Sequence, residues 1–84
     1  MRLDLFLRTS RLFLRRSLAQ KACDDGRVFL NGRPAKAARE VSVGDTISIA
    51  RESGTTSVVV AALPTQKQVS KADSRQLYEV VGND

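Results

Sequence analysis

The sequence contains no histidine, no tryptophan and a single cysteine, Cys23. Without histidine it lacks the usual acid/base group of neutral-pH catalysis and the commonest metal ligand. One cysteine excludes an intramolecular disulfide and every multi-cysteine zinc site. Apolar runs are short. The longest, Val58 to Leu63, falls far below the roughly 20 residues that span a bilayer. Arginines interrupt the start before the apolar core of a secretory signal forms. The Arg-rich, Ser-containing start matches a mitochondrial transit peptide in composition, but Asp4 argues against that, and removing the segment would leave too little chain to fold. The expectation is a soluble protein in the reducing cytoplasm, with no membrane partner. Its 84 residues make one small domain, with no room for a deep catalytic cleft.

The sequence is rich in positive charge, concentrated in one half. Residues 1–39 hold ten Arg/Lys and three acids, a net of +7, whereas residues 40–84 hold four basic and six acidic residues, a net of −2. A basic half on a small domain is the electrostatic footprint of a polyanion-binding surface, or simply a solvated face. Eight of the ten basic residues are arginine, whose planar fork of donors fits phosphate and stacks on bases, which favours the first reading.

The opening, "MRLDLFLRTSRLFLRRSLAQ", reads as two amphipathic helices. Leu3, Phe6 and Leu7 form one apolar stripe, with Arg2 at its start and Arg8 at its end. Thr9-Ser10 marks a break, with Ser10 placed to cap a second helix over about 11–25. There Leu14, Leu18 and Ala22 repeat every four residues, flanked by Leu12, Ala19 and Cys23, while Arg8, Arg11 and Arg15 recur at spacings of three and four beside Arg16. Gly26 ends that helix as a left-handed residue.

The period then changes to two. In "RVFLNGRPAK", Asn31-Gly32 between extended runs is a strong hairpin signal. Val28 and Leu30 are expected in the core, Phe29 on the opposite face, and Pro34 on an edge strand. Val43-Gly44-Asp45 is a turn, Ile47 and Ile49 alternate in a strand, "RESGTTS" is a loop, and Val58 to Ala62 is the last strand. A linker-like stretch at about 65–70 precedes a short element carrying Leu77, Tyr78 and Val80/Val81 that folds back on the core. The order predicts an α+β domain over residues 1–63, two N-terminal helices followed by a small antiparallel sheet, with 64–84 as a C-terminal extension.

No residues support catalysis. Ser10 and Ser17 have no histidine partner and lie in no nucleophile elbow. Asp24 and Asp25 diverge at a helix end, as a solvated terminus does. "NGRPAK" and "VGDT" lack the spacing of a phosphate-binding loop. Cys23 on an apolar helix side reads as core. Tyr78 and Phe29 each admit packing or base stacking. The chain is read as a non-enzyme with no cofactor and no metal.

Taken together and in order, "RLDLFL", "SRLFLRRSLA", "GRVFLNGRPAK" and "VSVGDTISI" resemble the S4, or alpha-L, RNA-binding domain from Arg2 to about Ile49. The chain length and the RLD start are similar to the stand-alone RqcP-type branch of that family, related to the heat-shock S4 protein. The resemblance implies binding to large ribosomal subunits that carry peptidyl-tRNA after stalling. It also implies support of C-terminal alanine tailing with an RqcH/NEMF-type partner, by a protein expected to be monomeric. It places Arg2 and Arg16 at the junction of tRNA and large-subunit rRNA, Arg11 and Arg15 in a basic second-helix motif, and Gly26, Asn31 and Gly32 in the hairpin that shapes the RNA face. The expected RNA-binding set is Arg2, Arg8, Arg11, Arg15, Arg16, Arg27, Asn31, Arg33 and Lys36. Leu14 and Phe29 stand where relatives often carry polar residues. The resemblance also admits a general S4-type rRNA-binding or heat-shock ribosome-recycling protein, and two readings from other classes compete. Two helices with a tight break resemble a helix-turn-helix DNA-binding module, which the hairpin argues against. A detached specificity domain of an RNA-modifying enzyme is the other.

Overall fold

A computed structural model describes residues 1–64 and 69–83. Helix α1 spans Leu3–Thr9 and α2 spans Arg16–Asp24. Strands β1 (Val28–Leu30), β2 (Arg33–Pro34), β3 (Thr46–Arg51) and β4 (Gly54–Val60) follow. A short helix α3 (Lys71–Ser74) and a 3₁₀ turn (Arg75–Leu77) lead into β5, Tyr78–Asn83. All pairings are antiparallel, and the spatial order is β2-β1-β3-β4-β5. The α+β architecture expected from the sequence is therefore present.

Period-two alternation puts Val28, Leu30, Ile47, Ile49, Val58 and Val60 in the core, where they meet Leu3, Phe6 and Leu7 of α1 and Ala19, Ala22 and Cys23 of α2. Phe29, on the other face, is half-buried. Asn31 and Gly32 both adopt positive φ, 52° and 84°, the requirement of a two-residue type I′ turn. Pro34 lies in β2, an edge strand. Beyond α2, Gly26 at φ 74° lets its own amide reach the Cys23 carbonyl at 3.0 Å and the Arg27 amide reach that of Ala22 at 3.0 Å. This paired closure is a Schellman motif.

The second helix starts later than its apolar spacing predicts. Arg11 takes φ 63°, which ends α1 and leaves 11–15 as a loop. Ser10 closes α1 instead of capping α2: it is the C-cap residue, and its hydroxyl donates to the Leu7 carbonyl at 3.2 Å. Leu14 and Leu18 consequently leave the expected stripe and stand 85% and 48% exposed. The strand expected at 58–62 begins at Gly54 and ends at Val60, and it is not the last. β5 pairs with β4, Leu77 enters the core and Tyr78 packs against it. Val80 and Val81 do not join them. The pairing steps from Val58↔Val80 to Ser57↔Gly82, so Val81 is the extra residue of a bulge, and both valines are exposed. Of the expected linker, residues 65–68 lie outside the described residues, and Ser70 accepts the Asp73 amide as the N-cap of α3.

Candidate nucleic-acid interface

Asp4 lies in the first turn of α1 and is completely buried. Its two oxygens accept five donors. Oδ1 takes Arg2 Nε at 3.2 Å and the Leu5 amide at 2.8 Å. Oδ2 takes Arg2 Nη2 at 3.3 Å, Arg16 Nε at 3.1 Å and Gln20 Nε2 at 2.8 Å. Burial alone would raise the carboxyl's pKa. The hydrogen bonds from Gln20, Arg16 and Arg2, with the Arg16 charge, outweigh it and hold Asp4 below the ordinary 3.8. Arg16 and Gln20 reach the same oxygen because they are four residues apart on α2 and share a face.

The result is a preset pair of cations. Arg2 and Arg16 keep side-chain exposures of 46% and 43% while anchored to one buried anion. Arg16 spends only its Nε there, so its terminal nitrogens remain available to a phosphate. Two guanidinium groups against one carboxylate leave a net charge of +1, fixed in position before any ligand arrives.

The other predicted residues fall into distinct groups. Arg8 and Arg15 are exposed beside the loop between α1 and α2. Arg11 is exposed but donates to the Val69 carbonyl at 3.2 Å, tying the loop to the C-terminal segment. Arg27 is exposed at the entry to β1. The amide group of Asn31 works inside the protein: its Oδ1 accepts the Thr46 amide at 2.9 Å and its Nδ2 donates to Asp45 at 3.2 Å. Arg33 and Lys36 line a cleft of about 610 Å³, together with Arg39.

Four contributors were not among the predicted site residues. Asp4 and Gln20 hold the arginine pair. Their sequence signal is an acid flanking the Leu3/Phe6/Leu7 stripe and a polar residue four after Arg16. Arg39 sits in the cleft. Arg51 braces the 11–15 loop, its guanidinium 5.4 Å from the centre of the Phe13 ring and donating to the Leu12 carbonyl at 3.1 Å. Cys23 is buried, and burial first, then the charges of Asp4 and Asp24, push its thiol up to about 11. It packs in the core as a small apolar side chain. Among the described residues no group of His, Cys, Asp or Glu is placed to hold a metal ion, and no helix is long and apolar enough to cross a membrane.

The Leu3 amide donates to the Arg39 carbonyl at 2.8 Å and the Asp4 amide to the Ala37 carbonyl at 3.1 Å. Arg2 forms a β-bridge with Glu40, whose carboxylate accepts the Met1 ammonium at 2.8 Å. The 36–41 segment is thereby stitched to the start of α1, next to the anchored pair.

The S4 domain family model matches residues 1–47, the stretch that carries the Asp4 anchor, the hairpin and the cleft. Among curated proteins, an RQC P-site tRNA stabilizing factor of Halalkalibacterium halodurans is 42% identical over 80 residues, covering 95% of this chain and 89% of the relative. A protein of the same name from Helicobacter pylori is 42% identical over 74 residues, covering 88% of each chain. Among solved structures, the trimeric heat shock protein 15 of Vibrio cholerae superposes with a TM-score of 0.87 at 27% identity, covering 96% of this chain and 81% of that one. The chain belongs to the S4 domain family, and within it to the group of RQC P-site tRNA stabilizing factors.

Proposed function

We propose that this protein is a ribosome quality-control factor, a binding module rather than an enzyme. It docks on large ribosomal subunits that still carry peptidyl-tRNA after stalling and steadies the tRNA against rRNA. In that role it supports C-terminal alanine tailing of the nascent chain by an RqcH/NEMF-type partner. The observation that carries this reading is the anchoring of Arg2 and Arg16 on the buried Asp4 carboxylate. Structured RNA is recognised by shape through its phosphates and 2′-hydroxyls, without a deep pocket. A rigid pair of donors suits that task, because little side-chain freedom is lost on binding. Arg8, Arg11, Arg15, Arg27, Arg33 and Lys36 extend the positive field around the pair, and Asn31 contributes by shaping the hairpin. The names of the relatives support the tRNA and the quality-control setting.

Co-sedimentation at fixed salt with purified large subunits, with and without peptidyl-tRNA, tests the reading. The wild type is expected to prefer the tRNA-bearing subunits. Arg16→Ala is expected to weaken binding by about 1–3 kcal/mol, the worth of a charge-assisted hydrogen bond. Equal binding to both subunit populations removes the quality-control role and leaves a general S4-type rRNA-binding protein.

A further inference from the structure

We propose that the cleft between the β1–β2 hairpin and the 35–39 segment is a nucleotide pocket, taking one unpaired nucleotide of an RNA whose backbone crosses Arg2 and Arg16. This rests on the RNA-binding reading above and adds a second, structurally separate subsite to it. The cleft volume, about 610 Å³, is in the range of small-molecule sites and exceeds what a nucleobase alone needs. Its walls are of two kinds. Leu30, Pro34 and Ala38 give apolar surface, and Arg33, Lys36 and Arg39 give three cations. These are the two halves of a nucleotide's requirements, a flat base to cover and a phosphate to neutralise.

The charge pattern favours an anionic ligand. No carboxylate lines the cleft. Among the described residues, none of its three cations has an acidic partner within ion-pair distance. The neighbouring acids are engaged elsewhere: Glu40 with the Met1 ammonium, and Asp45 with the Asn31 side chain and the Ser42 amide. No aromatic ring lines the cleft either, so a base there would stack on a guanidinium plane and the Pro34 ring.

Placement selects RNA over an acidic peptide. The Arg39 carbonyl accepts the Leu3 amide and the Ala37 carbonyl accepts the Asp4 amide, so the backbone of the cleft's 35–39 wall is joined to the start of α1. An RNA held at Arg2 therefore lies a short way along the chain surface from the cleft, a contact that an acidic peptide bound in the cleft alone would not use. A fully paired helix keeps its bases stacked and has none to offer. The cleft therefore favours an RNA with a bulge, a loop or an end at that point.

Two RNA hairpins of equal length test this, one fully paired and one with a single bulged 2-aminopurine, each titrated at fixed salt. The wild type is expected to bind the bulged hairpin about tenfold more tightly, the increment of one added charge-assisted contact. The fluorescence of the 2-aminopurine is expected to rise as it leaves the stack for a cleft without aromatic rings. Lys36→Gln/Arg39→Gln is expected to bring the ratio towards one. Ala38→Leu, which fills the cleft without touching its charge, is expected to do the same. Arg2→Ala is expected to weaken both hairpins and keep the ratio. A wild-type ratio near one, with both hairpins bound, overturns the pocket and leaves RNA binding standing. Failure to bind either hairpin overturns the RNA-binding reading and the pocket with it. A penta-glutamate peptide whose binding needs Lys36 and Arg39, with no preference between the hairpins, reassigns the cleft to an acidic peptide.

Discussion

Two guanidinium groups brought close together repel, and here the carboxylate of Asp4 accepts both Arg2 and Arg16 and offsets that repulsion. A buried anion is costly unless every lone pair finds a donor, and five donors meet this one. Asp4→Asn keeps the shape but removes the charge, leaving the two arginines without an anion and turning an amide donor towards other donors. It is expected to lower stability by about 1–3 kcal/mol and to weaken RNA binding through misplacement of Arg2 and Arg16. The pH dependence distinguishes this from a simple packing defect. Because the folded-state pKa of Asp4 lies below its ordinary 3.8, its contribution is fully present above that value and is lost as pH falls through the folded pKa. Urea midpoints measured from pH 6 down to pH 2 are therefore expected to fall more steeply for the wild type than for Asp4→Asn. Parallel curves would show that the Asp4 charge contributes nothing to stability.

At the scale of elements, α2 is a short helix whose usefulness depends on where it starts and stops, since register decides that Arg16 and Gln20 face Asp4. Its stop rests on Gly26 at φ 74°, where an added Cβ meets no heavy atom within 4 Å. Gly26→Ala therefore costs backbone strain alone, about 1–2 kcal/mol, and Gly26→Asn is expected to cost less because Asn tolerates this conformation. Thermal melts of the three proteins check the order Gly, Asn, Ala. RNA affinity of the folded fraction is expected to be unchanged, because Gly26 lies outside the Asp4 contacts. This end of α2 was legible in the sequence, as were the Asn31-Gly32 turn and the alternation of Val28/Leu30 and Ile47/Ile49, because each is set by residues within a few positions. The start of α2 was not. Leu14 and Leu18 fit a helical spacing, but the chain turns left-handed at Arg11 and is held there by Val69 and Arg51, which are 58 residues from Arg11 and 39 from Leu12. Local periodicity carries no information about such distant contacts. Asp4 was hidden for a related reason. A burial pattern marks apolar residues, and a buried charge is recognised only through partners 12 and 16 residues further along.

Over the whole molecule the charge separates along the chain, +7 in residues 1–39 against −2 in residues 40–84. The 36–41 segment, which helps to line the cleft of Arg33, Lys36 and Arg39, is stitched to the start of α1. The acidic half supplies β3 and β4, whose Ile47, Ile49, Val58 and Val60 complete the core begun by α1, α2 and β1, and Arg51, which braces the 11–15 loop. Binding through such a surface is driven largely by release of the counterions condensed on RNA, so affinity is expected to fall steeply as salt rises. Each arginine that touches a phosphate contributes a slope of about 0.7–0.9 in log K against log salt. Replacing Arg16 by Ala is therefore expected to reduce the slope by roughly that amount. Arg51→Ala, which removes a charge from the loop brace and not from the anchored pair, is expected to leave the slope unchanged. Titrations of the two variants and the wild type against one structured RNA between 50 and 200 mM salt, about the range over which such slopes are read, decide it. A slope near zero in the wild type would mean that the arginines serve solubility alone. Equal slope losses in both variants would mean a diffuse positive field, with no special place for the pair that Asp4 holds.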